Sequence, residues 1–427
     1  MTVLSSSNLL HLDNPRVRVL VTGRDGSGKS QAAQDYADAH GGIYMPCAPY
    51  AHMSGLATTV ADEIALGLER RVGSVNELTV AVQAIAADLG IEELLGADPL
   101  KLSGGQTQLV ALAALLSLGA PALAIDEPLR GLDQHMQERV LETLCAYKGP
   151  VLWVSVRPTA RERESASHVL DLGQQQNDYL PLALKLPARQ PITLSAQELG
   201  VSPLTPVRRR RRTKQTAPLL QQNVSLQLKS GETLLVSGAN GSGKSTLLRT
   251  LAGLQNPASG VVLAGEKEPA MLPAPQRVRS VQLVAQSPAH HFLSSTVAEE
   301  LKLGAGADSS QQVREGLLAA IGLRGQENIH PLDLLPAQQR LLTVASALAG
   351  ATPCLLLDEP TEQLDDHGLQ CLINLLQAHV GAGGSLVIAT HDPALNTALH
   401  GTHLHLTSTS KMRSPIQSAM LDRHPPP

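Results

Sequence analysis

Apolar and polar positions along the 427-residue chain fall into two matching series. Short apolar runs, Val17 to Val21 and Leu234 to Val236, each lead into a glycine-rich stretch. That order predicts a buried strand running into a loop. Further on come two longer uncharged stretches, Leu109 to Ile125 and Leu341 to Leu357. Both are near the lower length limit for a membrane span, but Gly119-Ala120-Pro121 and Gly350-Ala351-Thr352-Pro353 interrupt them. Each therefore predicts a buried helix, a turn and a buried parallel strand, ending at Asp126-Glu127 and Asp358-Glu359. The same order of elements, met twice, predicts an internal duplication with an α/β fold.

The glycine-rich stretches are Gly23-Arg24-Asp25-Gly26-Ser27-Gly28-Lys29-Ser30 and Gly238-Ala239-Asn240-Gly241-Ser242-Gly243-Lys244-Ser245, the latter followed by Thr246. Both fit G-x-x-x-x-G-K-[ST]. Glycines there let backbone N–H groups wrap phosphate oxygens at a helix N-terminus. The lysine reaches the β/γ-phosphates and the Ser hydroxyl ligates Mg²⁺. Two such loops, each upstream of an acidic strand end, predict nucleotide binding in both halves.

The spacing of further motifs repeats as well. Leu102-Ser103-Gly104-Gly105-Gln106 stands 24 residues before Asp126, and Leu334-Leu335-Pro336-Ala337-Gln338 stands 24 before Asp358. Thr59-Val60-Ala61-Asp62-Glu63 answers Thr296-Val297-Ala298-Glu299-Glu300, and Gly149 to Pro158 lies over Gly384 to Pro393 without a gap.

An L-S-G-G-Q run between a phosphate loop and an apolar Asp-Glu strand resembles the signature of the ATP-binding-cassette (ABC) ATPases. The resemblance covers residues 15 to 175 and 190 to 408. It implies an α/β chain of two tandem P-loop nucleotide-binding domains, over residues 1–185 and 190–410, with a tail at 411–427. It also implies that the two halves sandwich two ATP molecules head to tail, each between one phosphate loop and the opposite signature. The first half is trimmed: Lys29 to Thr59 spans 30 residues against 52 for Lys244 to Thr296. Missing is the region that forms an antiparallel β-subdomain in the family and supplies an adenine-stacking aromatic. The second half keeps the subdomain, as in Val224-Ser225-Leu226.

By the same resemblance the second half's site is complete. Its phosphates would lie on Gly238, Asn240, Gly241, Ser242, Gly243, Lys244, Ser245 and Thr246, with Mg²⁺ on Ser245, Asp358 and Gln286. Glu359 would act as the base that polarises the attacking water, Gln286 would touch metal and water, and His391 would contact the γ-phosphate. Ser103, Gly104, Gly105 and Gln106 of the first half would close the site in trans. The first half's own site retains Gly23, Gly26, Ser27, Gly28, Lys29, Ser30 (also the metal ligand), Asp126 and Glu127, enough for ATP and Mg²⁺. At its switch position stands Val156, at its Gln position Cys47 or Pro49, and its trans signature is Leu335-Pro336-Ala337. Proline removes a backbone donor and the side chains crowd the phosphate approach. One hydrolytic and one nearly inert site are expected. Asp133 and Asp365 match the loops that carry signals across the interface in this family.

Composition narrows the class without changing it. A net charge of −4 and a pI near 6.4 give no general pull toward nucleic acid or anionic lipid. Cys47, Cys145, Cys354 and Cys371 form no C-x-x-C pair, which suits a reducing cytosol. Met1 to Asn14 carries no secretory pattern. His290-His291 has no carboxylate or Cys partner at ligand spacing, which argues against a metal there. Arg208 to Arg212 fits three readings: a solvated loop, a contact with phosphate-rich partners, or a guanidinium stacked on adenine in place of the absent aromatic.

Pro288-Ala289-His290-His291-Phe292-Leu293 and the Thr-Val-x-x-Glu boxes, followed by Leu66-Gly67-Leu68 and Leu303-Gly304, are similar to segments of energy-coupling-factor ATPases. Ala289 stands where that branch has an acidic residue. The branch implies an importer of a vitamin or metal ion, with integral-membrane transporter subunits and a substrate-binding membrane subunit on other chains. The expected location is the cytoplasmic face of a bacterial cell membrane. The alternative is a soluble tandem ABC ATPase acting on ribosomes or nucleic acid, for which the Arg run is the best sequence support.

Overall fold

A computed structural model describes residues 2–3, 9, 14–47, 52–69, 71–173, 184–203, 219–288, 291–305 and 310–407. Arg208 to Arg212, Pro49, Ala289, His290 and the tail at 411–427 lie outside the described residues.

Strands of the first half form one six-stranded sheet. In chain order they are β1 (Thr2–Val3), β2 (Arg18–Thr22), β3 (Ile43–Met45), β4 (Leu123–Asp126), β5 (Val151–Val154) and β6 (His168–Asp171). Their spatial order is β1-β6-β2-β5-β4-β3, and every pairing is parallel. Strands β2, β4 and β5 are buried along their whole length, as expected of parallel strands covered on both faces. The helix Lys29–Ala39 puts Ala33, Tyr36 and Ala37 on one face. The helix Gly104–Ser117 covers the other with Leu109, Leu112 and Leu115.

The second half adds β7 (Leu194–Val201), β8 (Gln221–Leu228), β9 (Thr233–Gly238), β10 (Ser259–Ala264), β11 (Val281–Val284), β12 (Cys354–Asp358), β13 (Ser385–Ala389) and β14 (Thr402–Leu406). A five-stranded parallel sheet runs β11-β12-β13-β9-β14, and β10-β7-β8 form a separate antiparallel sheet. The first half has no antiparallel pair among its described residues.

The uncharged stretches resolve into helix, turn and strand. Gly104–Ser117 precedes β4, and Pro336–Ala349 precedes β12. Among the described residues no helix is long and apolar enough to cross a membrane. No buried apolar cluster of the described residues mixes the two halves, so polar contacts carry much of the interface between them.

One buried polar residue gives the second half a pH response. His379, on the helix Asp366–Gly381, is buried beside Arg189. Burial first, then the Arg189 charge, lower its pKa from 6.5 to about 4. The fold holds the neutral ring, so its contribution is intact above 6.5 and is lost progressively as pH falls toward 4. His379→Leu should therefore gain on the wild type in thermal melts at pH 5, by about 1–2 kcal/mol, relative to their difference at pH 8. A difference that does not change with pH would exclude this role.

Candidate nucleotide and catalytic site

Each phosphate loop joins a central parallel strand to a helix: β2 to Lys29–Ala39, and β9 to Lys244–Leu251. The residues preceding those helices, Gly28 and Gly243, have φ of 86° and 97°, a left-handed backbone that glycine adopts without steric penalty. The turn leaves loop N–H groups facing the helix start, where an anion is favoured.

In the second half, Lys244 Nζ donates to the Gly238 carbonyl at 2.7 Å and lies 2.7 Å from His391 Nε2. His391 Nε2 is 3.5 Å from Glu359 Oε1, and its backbone N–H donates to Glu359 Oε2 at 3.3 Å. Burial pushes the Glu359 carboxyl up to about 8, opposed by the Lys244 charge. Burial also lowers Lys244 and His391, so the His391 ring is held neutral beside the ammonium. Glu359 itself has φ 45°, a conformation costly for a side-chain-bearing residue and common at functional sites. Its N–H is anchored to the Ala389 carbonyl at 2.8 Å. Gln286 Nε2 donates to Glu362 Oε1 at 2.8 Å, which places the amide at the rim of this cluster.

Mg²⁺ fits the residues present. Ser245 hydrogen-bonds Asp358, and in the first half Ser30 Oγ donates to Asp126 Oδ2 at 2.6 Å. A helix-start hydroxyl and a strand-end carboxylate in each half are hard oxygen donors, suited to a cation that keeps waters and shares phosphate ligands. The described residues contain no cluster of three His, Cys, Asp or Glu side chains able to hold a metal.

The second half's loop faces the first half's signature. Asn240 Nδ2 donates to the Gly131 carbonyl at 2.8 Å. A Cβ built on Gly105 would stand 3.3 Å from that same amide nitrogen and 2.7 Å from Gly131 O. Ser103 caps the signature helix by accepting from Gln106 N, while the Gln106 side chain accepts from Ser103 N at 3.0 Å. Gln106 therefore shapes the helix start, with its amide oxygen engaged by protein. Asp133, also from the first half, stands near enough to oppose the lowering of both Lys244 and His391.

The other interface is built differently. Leu335 has no hydroxyl, and Pro336 takes the first helical position, which proline fits because no donor is needed there. Asp25 Oδ2 accepts from Ala337 N at 3.4 Å, and Asp25 N donates to Asp365 Oδ2 at 3.3 Å. Cys47 accepts a hydrogen bond from Arg130 Nη1 at 2.9 Å. Val156 offers only its backbone N–H, which donates to Glu127 Oε1 at 2.6 Å. Burial raises Glu127 to about 7. A cavity of about 900 Å³ between the halves is lined by Lys29, Ser30, Asp126 and Glu127, and reaches Glu359 and His391.

Sequence reasoning did not single out Asp25, Arg130 or Arg157. The repeat alignment carried the signal for the two arginines, which stand opposite Glu362 and Asp392. His291 Nε2 accepts from Ala285 N at 3.0 Å, a local loop contact.

Two phosphate loops at the ends of parallel sheets, each set against the opposite half's signature helix, define an ATPase of the ABC type. Residues 221–362 match the family model described as "ABC transporter", and the chain carries an ABC transporter ATPase domain. A Streptomyces coelicolor protein named as an ABC transporter ATP-binding protein is 28% identical over 465 residues, 90% of this chain and 80% of that one. A Bacillus subtilis protein named as an HMP/thiamine import ATP-binding protein is 28% identical, over 82% of this chain and 72% of its own. Among solved structures, RNase-L inhibitor superposes with a TM-score of 0.62 at 17% identity, covering 92% of this chain and 84% of that one. At that identity the likeness is one of fold.

Proposed function

We propose that the chain energises a membrane transporter of the energy-coupling-factor type by hydrolysing ATP at one of two unequal sites, in support of vitamin or metal-ion import. The observation that carries the reading is the unequal furnishing of the two interfaces. Lys244, His391 and Glu359 cluster on the side where Asn240 meets Gly105 and Gly131. The opposite interface pairs Asp25 with a signature that begins Leu335-Pro336.

At the working site the loop N–H groups and Lys244 bind the β/γ-phosphates, and Ser103 to Gly105 cover the γ-phosphate from the other half. Glu359 orients the attacking water and accepts its proton as the new P–O bond forms and the bond to the ADP oxygen breaks. His391, neutral, donates to the γ-phosphate. Ser245 and Asp358 would hold Mg²⁺, which when bound neutralises charge on the bridging phosphates.

Exposed leucines support docking of a second protein. Leu56 and Leu293 are 83% and 81% exposed, in equivalent segments just before the two Thr-Val-x-x-Glu boxes, and Leu66 and Leu303 are exposed just after them. The thiamine-import name of the Bacillus relative favours an importer. Affinity purification from detergent-solubilised membranes should bring down a polytopic subunit in stoichiometric amount. Sedimentation with ribosomes, with no membrane protein recovered, would overturn the reading in favour of the ribosomal alternative.

A further inference from the structure

The first half's switch loop has lost its histidine but has gained a contact that reaches the second half's. In the ungapped alignment of Gly149–Pro158 over Gly384–Pro393, Arg157 is the counterpart of Asp392, the residue after His391. The two meet across the interface: Arg157 Nη1 lies 2.5 Å from Asp392 Oδ2, and Nη2 lies 3.5 Å from Oδ1. Their side chains are 22% and 11% exposed, so water screens this pair less than a surface pair. A second contact, Arg157 Nε to Asp366 at 3.3 Å, involves a carboxylate 94% exposed and adds little by comparison.

We propose that Arg157 is a positioning residue for the hydrolytic site, acting on His391 through Asp392. Two hydrogen bonds fix the receiving end. Asp392 Oδ1 accepts from Ala394 N at 2.9 Å, capping the helix Pro393–Ala398, and Asp392 N donates to Thr390 Oγ1 at 3.0 Å. Between these anchors stands His391, 2.7 Å from Lys244 Nζ. The sending end is fixed too: Val156 N, one residue before Arg157, is bonded to Glu127 Oε1. A planar guanidinium gripping a carboxylate with two nitrogens restricts angle as well as distance.

A second pair follows the same rule. Arg130 is the repeat counterpart of Glu362, and Arg130 Nη2 lies 4.0 Å from Glu362 Oε2. At two equivalent positions the halves thus carry opposite charges that face each other. Two copies of the second half would set Asp392 against Asp392 and Glu362 against Glu362, and like charges so placed repel. The arrangement holds unlike halves together and orients the loop bearing His391.

This inference rests on the reading that the second half's site hydrolyses ATP, and the test separates the two. Steady-state kcat and KM for Mg-ATP are measured on the full chain carrying Arg157→Gln, Arg157→Lys, Asp392→Asn, the Gln/Asn double change, or Glu359→Gln. Misplacing a catalytic group by about 1 Å is expected to lower the rate by ~10- to 100-fold. Arg157→Gln should lower kcat by at least about tenfold with KM within about threefold, and Arg157→Lys should recover part of the loss. The double change should be little worse than either single one, because both remove the same contact.

Unchanged kcat in folded Arg157→Gln protein, or a fall in melting temperature alone, overturns the positioning role. If Arg157→Gln folds poorly, Asp392→Asn decides, since its amide oxygen still caps the helix; normal kcat there overturns the role equally. Full turnover in Glu359→Gln would instead sink the hydrolytic-site reading beneath it.

Discussion

Glu359→Gln should reduce steady-state ATP turnover by ~100-fold or more, while Glu127→Gln leaves most of it. The two carboxylates occupy equivalent places at the ends of β12 and β4, both with left-handed φ and both with a raised pKa from burial. What differs is their company. Glu359 has His391 and Lys244 within a hydrogen-bonded cluster and faces the half that supplies Gly105. Glu127 shares the backbone bond to its switch position, but Val156 there has no side-chain donor, and the facing signature begins Leu335-Pro336. Phosphate release on purified single variants decides between them. Equal losses from the two substitutions would show that both sites fire.

A substitution at Gly105, far from Glu359 in the chain, should be nearly as damaging. The added Cβ of Gly105→Ala would meet the backbone oxygen of Gly131 at 2.7 Å, and a carbonyl cannot move aside as a flexible side chain can. Relief requires the signature helix or the Gly131 turn to retreat, which opens the contact with Asn240. A retreat of about 1 Å predicts a loss of turnover of ~100-fold, while nucleotide affinity of the open form holds. Larger side chains there should do worse. The matching test on the other interface is Ala337→Gly, which should leave kcat within about twofold, because that pocket contributes little turnover. Wild-type turnover in Gly105→Ala would remove the claim that the first half completes the second half's site.

Much of the scaffold was legible in one-dimensional pattern. Parallel strands buried on both faces appear as largely apolar runs, so Val17–Val21, despite Arg18, and the stretches ending at Asp126 and Asp358 announced the central strands. The turn residues Pro121 and Pro353 then separated helix from strand. Trimming of the first half was readable from spacing, and its sheet has no antiparallel pair among the described residues. The edge strand β1 was not foreseen, because two residues carry no periodicity.

The site was legible where a motif fixes local geometry, as in the phosphate loops, and illegible where two distant segments meet. Asp25 is an unremarkable loop acid in the sequence, and only the fold brings it to Ala337. Its place in the signature groups Gln106 with the ATP contacts, whereas its amide oxygen is bonded to Ser103 N. Arg157 and Arg130 were hidden for another reason. Alignment of the halves draws the eye to what is missing, and a charge reversal at a repeat position reads as decay until its partner is seen.

The carboxylate of Asp25 already occupies the positive end of the helix that begins at Pro336. A polyphosphate entering that pocket finds its natural seat taken by a resident anion of the same sign. It must either evict the aspartate or settle beside it, so even a bound nucleotide there would lean on the first half alone. On the proposed reading, that end of the sandwich would stay shut on its own carboxylate, leaving the opposite end as the one whose closure depends on ATP.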